Sequence, residues 1–565
     1  MNTQASATPA VTAHTRWLAL LLCAFAYLYV FPYQATLNNP NENVRFYMTA
    51  ALAELGHYQI DELRARWGWV NDAAVHGGHV WSVKAPGTSF FGVPGYFLYL
   101  HGSRLLGHGF DRTEALWVCR VTGSVLPTLL FGFVFFGWLA RRTRHAFARE
   151  TTFFSVMLGS LIYAYALMFT SHTLSAAVAF SAFMWLYDVR HGEAAATTQG
   201  ALLAGLLTGG ATFFEYPGLA GSLPLALYGA LVLRKPKLVL AFALGGALPA
   251  LVMMHFQWRA FGNPFTPGHL FVENDSFRAA HEQGLYGAVG PSAAALYGLL
   301  LDPGAGLLPL TPLLALSVPG LWILLRDRER RLDAVALIAI VVLTVVAIAS
   351  MNNWRGGWTV GARYLALCIP FLAWPTLVAL DAWAERSVRT AAAVALGCTA
   401  VGLVASGIAS AYYPHLPPEV SRPLPQIFAV LIEHGYAPAN AGAWLGLFGN
   451  ASMLPLLMAA VLVLWLCLRT LATRARAGVL AGGALLAVLL ILPLWLRPSS
   501  EPGVRQALAF ITRRFWPEGH DQTARLHAEL KAQAQPAHEA LERLAQLYRE
   551  EGRDTEAQAA LQGRL

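Results

Sequence analysis

Glu42, His172 and Glu215, with Arg45, Lys84, Arg355 and Arg363, are the residues here whose types could do chemistry. Carboxylates and an imidazole can accept a proton, and Lys and Arg can hold a negative charge. Each also has a plainer reading. Glu42, three residues after Asn39, fits the acidic half of a helix capping box. Lys84 and Arg355 fit snorkelling to lipid phosphates, Arg363 an interfacial anchor, and His172 and Glu215 turn positions. What favours chemistry is that all of them fall at the same ends of the apolar segments.

Those segments dominate the chain. Its 565 residues are 56% hydrophobic and 13% charged, with 17 Trp, and the mean hydropathy is +0.47. Such a composition excludes a soluble globule and predicts an all-α polytopic membrane protein. About thirteen segments reach the roughly 17–24 residues that cross a hydrocarbon core: Trp17–Tyr33, Trp117–Ala140, Thr151–Phe169, Thr173–Val189, Gln199–Phe214, Pro217–Leu233, Leu238–Trp258, Gly306–Leu325, Leu332–Ser350, Tyr364–Ala384, Thr390–Tyr412, Leu445–Leu468 and Gly478–Leu496. Alternate exits carry the cations: Arg141, Arg142 and Arg144; Arg190; Arg234, Lys235 and Lys237; Arg326, Arg328, Arg330 and Arg331; Arg386 and Arg389; Arg469, Arg474 and Arg476. By the positive-inside rule these ends are cytoplasmic, with the N-terminus inside and the C-terminus outside.

Pro86–Gly107 has to lie outside the count, as an interfacial or re-entrant helix, or every later junction inverts. The predicted organisation is a cytoplasmic tail over 1–16, a membrane domain over 17–496 whose first outer loop is 34–116, and an outer helical tail over 497–565. The cytoplasmic connections are too short for a nucleotide-binding domain. The formal charge of +8 resides in the inner Arg clusters and faces anionic lipid, so no nucleic-acid partner is expected. All five Cys lie inside spans without paired spacing and read as small core residues.

In the first outer loop, Asn39 and Pro40 open a helix on which Val44, Tyr47, Met48, Ala51, Leu52 and Leu55 recur at helical spacing before Gly56. An amphipathic helix against the membrane surface is expected there. Glu42-Asn43-Val44-Arg45-Phe46, followed by Lys84-Ala85-Pro86 and by Ala362-Arg363-Tyr364-Leu365, resembles the GT-C glycosyltransferases, especially the lipid A aminoarabinose transferases and protein O-mannosyltransferases. The resemblance covers about residues 15–385. It implies a GT-C type bundle with extracytoplasmic juxtamembrane helices in a bacterial inner membrane. The implied reaction moves a sugar from a polyprenyl-phosphate donor to an acceptor hydroxyl on a lipid, glycan or protein.

Under that resemblance Glu42 takes the place of the catalytic acidic residue and is the expected base for the acceptor hydroxyl, Arg45 matches a nearby Arg, Lys84 matches the Lys associated with the lipid phosphate, and Arg45 and Arg363 join Lys84 as expected cations for that phosphate. Asn43 stands where the family has a second acid, and Val83 where some relatives carry a carboxylate. A divalent metal therefore stays open, with no ligands and no other cofactor assigned. A single displacement inverts the sugar, whereas a retaining path needs a second carboxylate, for which Glu215 is the candidate. Asn43, His172, Glu215, Tyr216, Arg355, Trp358 and Tyr364 are the expected substrate-contacting residues, with Trp354 and Phe90 bordering the sugar. Loop Asn263–Asp302 reads as a lid or as a plain surface loop.

Leu544-Ala545-Gln546-Leu547-Tyr548, with Gly552-Arg553 and Glu556-Ala557, resembles a single tetratricopeptide repeat. It predicts a helical hairpin that docks on its own bundle or on another envelope protein. The competing readings are a secondary transporter or flippase of lipid-linked glycans, and a glycan ligase or polymerase. A transporter would place ionisable residues near the midplane, in related halves that this sequence does not show.

Overall fold

The computed structural model describes residues 13–30, 39–496, 502–515, 527, 529–533, 535–550 and 554–564. Most of residues 516–534 of the expected helical tail, the start of the first outer loop and most of the N-terminal tail lie outside the described residues. The rest is a polytopic helical bundle. Among the described residues seven helices are long and apolar enough to cross a membrane, from Arg112–Ala140 to Thr473–Trp495, and each overlies an expected span. The other expected spans are also helical, but shorter, less apolar or broken. Helix α1 covers Ala13–Tyr29. The span over Thr151–Phe169 divides into Ala146–Met157 and Leu161–Ala166, where the Ser160 hydroxyl caps the second piece. The span over Gly306–Leu325 begins as a short helix at Leu307–Leu310 and is interrupted by a 3-10 turn at Pro312–Leu316 before Ser317–Arg326, Pro312 having no N–H to donate.

Small residues let the helices approach closely, as expected where lipid removes the hydrophobic drive between them. Helices Thr198–Phe214 and Pro236–Phe261 meet at Gly205 and Gly245, where an added Cβ would run into the carbonyls of Phe242 and Leu202. Gly205→Leu is expected to push these helices apart and cost about 1–3 kcal/mol or more, read as a lower thermal unfolding temperature in detergent. All five Cys are free and buried.

The Arg clusters knit one end of the bundle. Arg141 and Arg142 pair with Asp188 and Glu193, Arg190 and His191 with Asp333, and Arg469 with Glu150. The long loops gather at the opposite end. There α2 (Pro40–Glu54), α3 (Asp61–Trp67), a hairpin of β1 (Ala73–His76) and β2 (His79–Ser82), and α4 (Gly87–Leu105) build a separate core with Phe256 and Phe261. Asn39 caps α2 and Pro40 occupies its first turn, as the sequence requires.

Nearly every residue from Asn41 to Ala51 is buried, so α2 is packed all round and does not lie on lipid along one stripe. Gly77 and Gly78 form the hairpin turn with φ of 61° and 81°, values that favour glycine. Val272 bridges Ala74, the Glu273 N–H donates to the Ala73 carbonyl, and Arg64 holds the Glu273 carboxylate at 2.8 Å. The start of loop 263–302 is thereby fastened to the hairpin. In the tail, Pro502–Phe515 buries Val504, Ala507 and Ile511 in the main core. Helices His538–Glu550 and Asp554–Leu561 pack on each other through Leu541, Leu544, Ala545, Tyr548, Ala557 and Ala560.

Candidate active site

Glu42 sits in the first turn of α2 with both carboxylate oxygens engaged. Arg120 donates from Nε to Oε1 and from Nη2 to Oε2, each at 2.8 Å, and the Phe169 N–H donates to Oε1 at 2.6 Å. The side chain is 1% exposed. It makes none of the back-bonds of a capping box; Asn39 alone caps the helix. Burial pushes the Glu42 carboxyl up, but the Arg120 charge and hydrogen bonds and the Phe169 amide outweigh it, holding the group below the usual carboxylate range. His415 lies close enough to feel this pair, and the Asn39 Nδ2 amide donates to His415 Nδ1 at 3.0 Å.

Lys84 has a different partner. Its Nζ lies 3.0 Å from Asp72 Oδ2, a contact made by the hairpin, in which Ala73 pairs with Ser82 and the Val83 N–H points at the Asp72 carbonyl. Burial raises the Asp72 carboxyl, but the charges of Lys84, Arg363 and Arg45 lower it further, below its ordinary value. Arg45, one turn after Glu42 on α2, donates from Nη1 to the Asn41 carbonyl and from Nη2 to the Ser171 hydroxyl, both at 2.9 Å. Its Nε is buried without a partner, and so is that of Arg363, whose Nη2 donates to the Tyr364 hydroxyl at 3.0 Å. Burial brings Arg45 down to about 10, so it remains a cation at neutral pH.

His172 Nδ1 and Glu215 Oε2 are 2.7 Å apart, and His172 Nε2 is buried without a partner. The imidazole lies edge-on to Tyr165 and Tyr364. Burial raises Glu215, but His172, Arg45 and Arg363 win and hold it ionised. Tyr216 stacks edge-on against His269, which packs on His281 with ring centroids 4.8 Å apart. Burial, then the charges of Lys84 and His281, pushes His269 down to about 3, so it is neutral.

One field thus contains Lys84, Arg45 and Arg363 with Asp72, Glu215, His172 and Tyr364. Tyr216 borders this field through His269, whereas Arg355 and Trp358 stand apart. Arg355 feels Asp302 and Glu419, and Trp358 meets Phe510 of the C-terminal segment. Among the described residues, no group of three or more His, Cys, Asp or Glu is arranged to hold a metal, and Asp72 already faces the Lys84 ammonium. Asp72 and Arg120 were not singled out in the sequence. The Gly77-Gly78 turn between two short Val-containing runs is a local signal that could have pointed to the hairpin and so to Asp72 opposite Lys84.

Because Glu42, Asp72 and Glu215 all have lowered values in the folded protein, their contribution to stability is present above the ordinary carboxylate range and lost as pH falls through the folded values. The unfolding temperature in detergent is expected to be level between about pH 5 and 7 and to fall below about pH 4.

The helical bundle with its loop core defines a membrane fold of the GT-C type. The chain shares that fold with the lipid A aminoarabinose transferase ArnT from Cupriavidus metallidurans bound to undecaprenyl phosphate: TM-score 0.51, 17% identity, covering 93% of this chain and 82% of that one. The apo form of the same enzyme matches with a TM-score of 0.46, 22% identity and coverage of 88% and 81%. The oligosaccharyltransferase AglB from Archaeoglobus fulgidus matches with a TM-score of 0.40, 12% identity and coverage of 74% and 57%. No protein-family model matches the chain, and no curated protein matches it by sequence.

Proposed function

We propose that the protein is a membrane glycosyltransferase that moves a sugar from a polyprenyl-phosphate donor to an acceptor hydroxyl. The observation that carries this reading is the group of three cations, Lys84, Arg45 and Arg363, two of which keep a buried Nε without a partner. Against Asp72 and Glu215 they leave one net positive charge, three cations less two carboxylates. That matches the single negative charge of a sugar phosphodiester. When the glycosidic bond breaks, the phosphate gains charge, and cations already aimed at it lower the barrier. Undecaprenyl phosphate bound to the ArnT of the same fold supports a lipid-linked carrier.

The Arg-rich end of the bundle faces the cytoplasm in this reading, which puts the site at the outer face of a bacterial inner membrane. Direct displacement with inversion is the expected course. Arg120 and Glu42 neutralise each other and anchor the start of α2, from which Arg45 reaches the phosphate. Mass spectrometry of lipid extracts from cells with and without the gene tests the function. A polyprenyl-phosphate monosaccharide that accumulates only without the gene supports transfer; unchanged lipids and glycans with altered solute uptake would favour transport.

A further inference from the structure

We infer that Asp72 takes the proton of the acceptor hydroxyl, and that Lys84 holds it until a lipid phosphate replaces it as the partner of that ammonium. The inference rests on the sugar-transfer reading and names the base within it. Access separates the carboxylates. Glu42 is 1% exposed with both oxygens occupied. Glu215 is 11% exposed and bound to His172. Asp72 and Lys84 are 17% and 15% exposed, and among the described residues the ion pair of each is with the other. Both members of the pair are therefore partly accessible, Lys84 to a phosphate and Asp72 to a hydroxyl.

The hairpin fixes the pair across its strand ends, with Ala73 opposite Ser82 and the Lys84 N–H donating to the Ser82 hydroxyl at 3.2 Å. His269 and His281, on the loop fastened to β1, feel both Asp72 and Lys84 and form a wall beside them. When the donor phosphate takes Lys84, the Asp72 carboxylate is released beside the sugar. The acceptor oxygen forms a bond to the anomeric carbon and its proton passes to Asp72 Oδ. The bond from that carbon to the phosphate oxygen breaks, its electron pair leaving with the polyprenyl phosphate. Neutralising Asp72 raises the site from one net positive charge to two as the phosphate becomes a dianion. Asp72 then gives its proton to water.

Two measurements on the full chain test this. Cells lacking the gene are complemented with wild type, Asp72→Asn, Asp72→Glu or Glu42→Gln, and the polyprenyl-phosphate monosaccharide is quantified by mass spectrometry. The purified proteins in nanodiscs are titrated with undecaprenyl phosphate. Asp72→Asn is expected to leave the lipid-linked sugar at the level of the deletion while binding undecaprenyl phosphate about tenfold tighter, because the competing carboxylate is gone. Asp72→Glu should restore part of the turnover. Clearance of the sugar lipid by Asp72→Asn would overturn the assignment. Loss of both turnover and undecaprenyl phosphate binding would also overturn it, as a structural role. A folded Glu42→Gln that binds undecaprenyl phosphate but fails to turn over, beside an active Asp72→Asn, returns the base role to Glu42. Failure of the wild type to clear the lipid-linked sugar would instead sink the transfer reading itself.

Discussion

Arg120→Met is expected to destabilise the protein by about 3–5 kcal/mol, because it leaves the Glu42 carboxylate buried and unpaired. Among the described residues nothing else around Glu42 carries the charge: the Phe169 amide supplies one hydrogen bond, and burial holds His415 down at about 4, neutral. The measurement is tryptophan-detected thermal unfolding in detergent. Glu42→Leu combined with Arg120→Met should return much of the loss, since apolar residues of similar volume replace buried ion pairs at little cost. The double variant also reports on chemistry. If Glu42 serves to anchor α2, a stable double variant retains undecaprenyl phosphate binding and measurable transfer; if Glu42 is the base, it binds and does not turn over.

The second large effect falls on the phosphate cations. Lys84→Ala and Arg45→Ala are each expected to lower transfer by about 10²–10³-fold, the loss typical of removing one donor aimed at developing charge. The reasons differ. Lys84 is the accessible ammonium, and its loss also leaves Asp72 without its partner. Arg45 is buried, and its Nη2 is tied to Ser171 while Nε is open. Lys84→Arg should keep more transfer than Lys84→Ala, since the charge remains although the shape differs. Initial rates of sugar transfer by reconstituted protein separate the three.

The bundle was largely legible in the sequence because its signals are local. Apolar length marked the spans, the Arg and Lys runs marked one set of ends, and Asn39-Pro40 marked the start of α2. Interruptions were less visible: the breaks at Ser160 and Pro312 lie inside runs whose overall apolarity reads as continuous. The site was legible as a set of cations and less so as a set of pairs. Arg120 is 78 residues from Glu42, and Phe169 is 127 away, so nothing near Glu42 in the chain tells that its oxygens are taken. A single Arg in the first turns of an apolar helix reads as snorkelling. Asp72 was hidden for another reason. Its strands are four residues each, too short for alternation to stand out.

The most direct measurement is transfer itself. Wild-type protein in liposomes is given sugar lipid extracted from cells lacking the gene, with envelope extract as the source of acceptor, and the conversion to undecaprenyl phosphate is followed by mass spectrometry. The account predicts conversion by wild type and almost none by Lys84→Ala. No conversion by folded wild type, or equal conversion by Lys84→Ala, would contradict it.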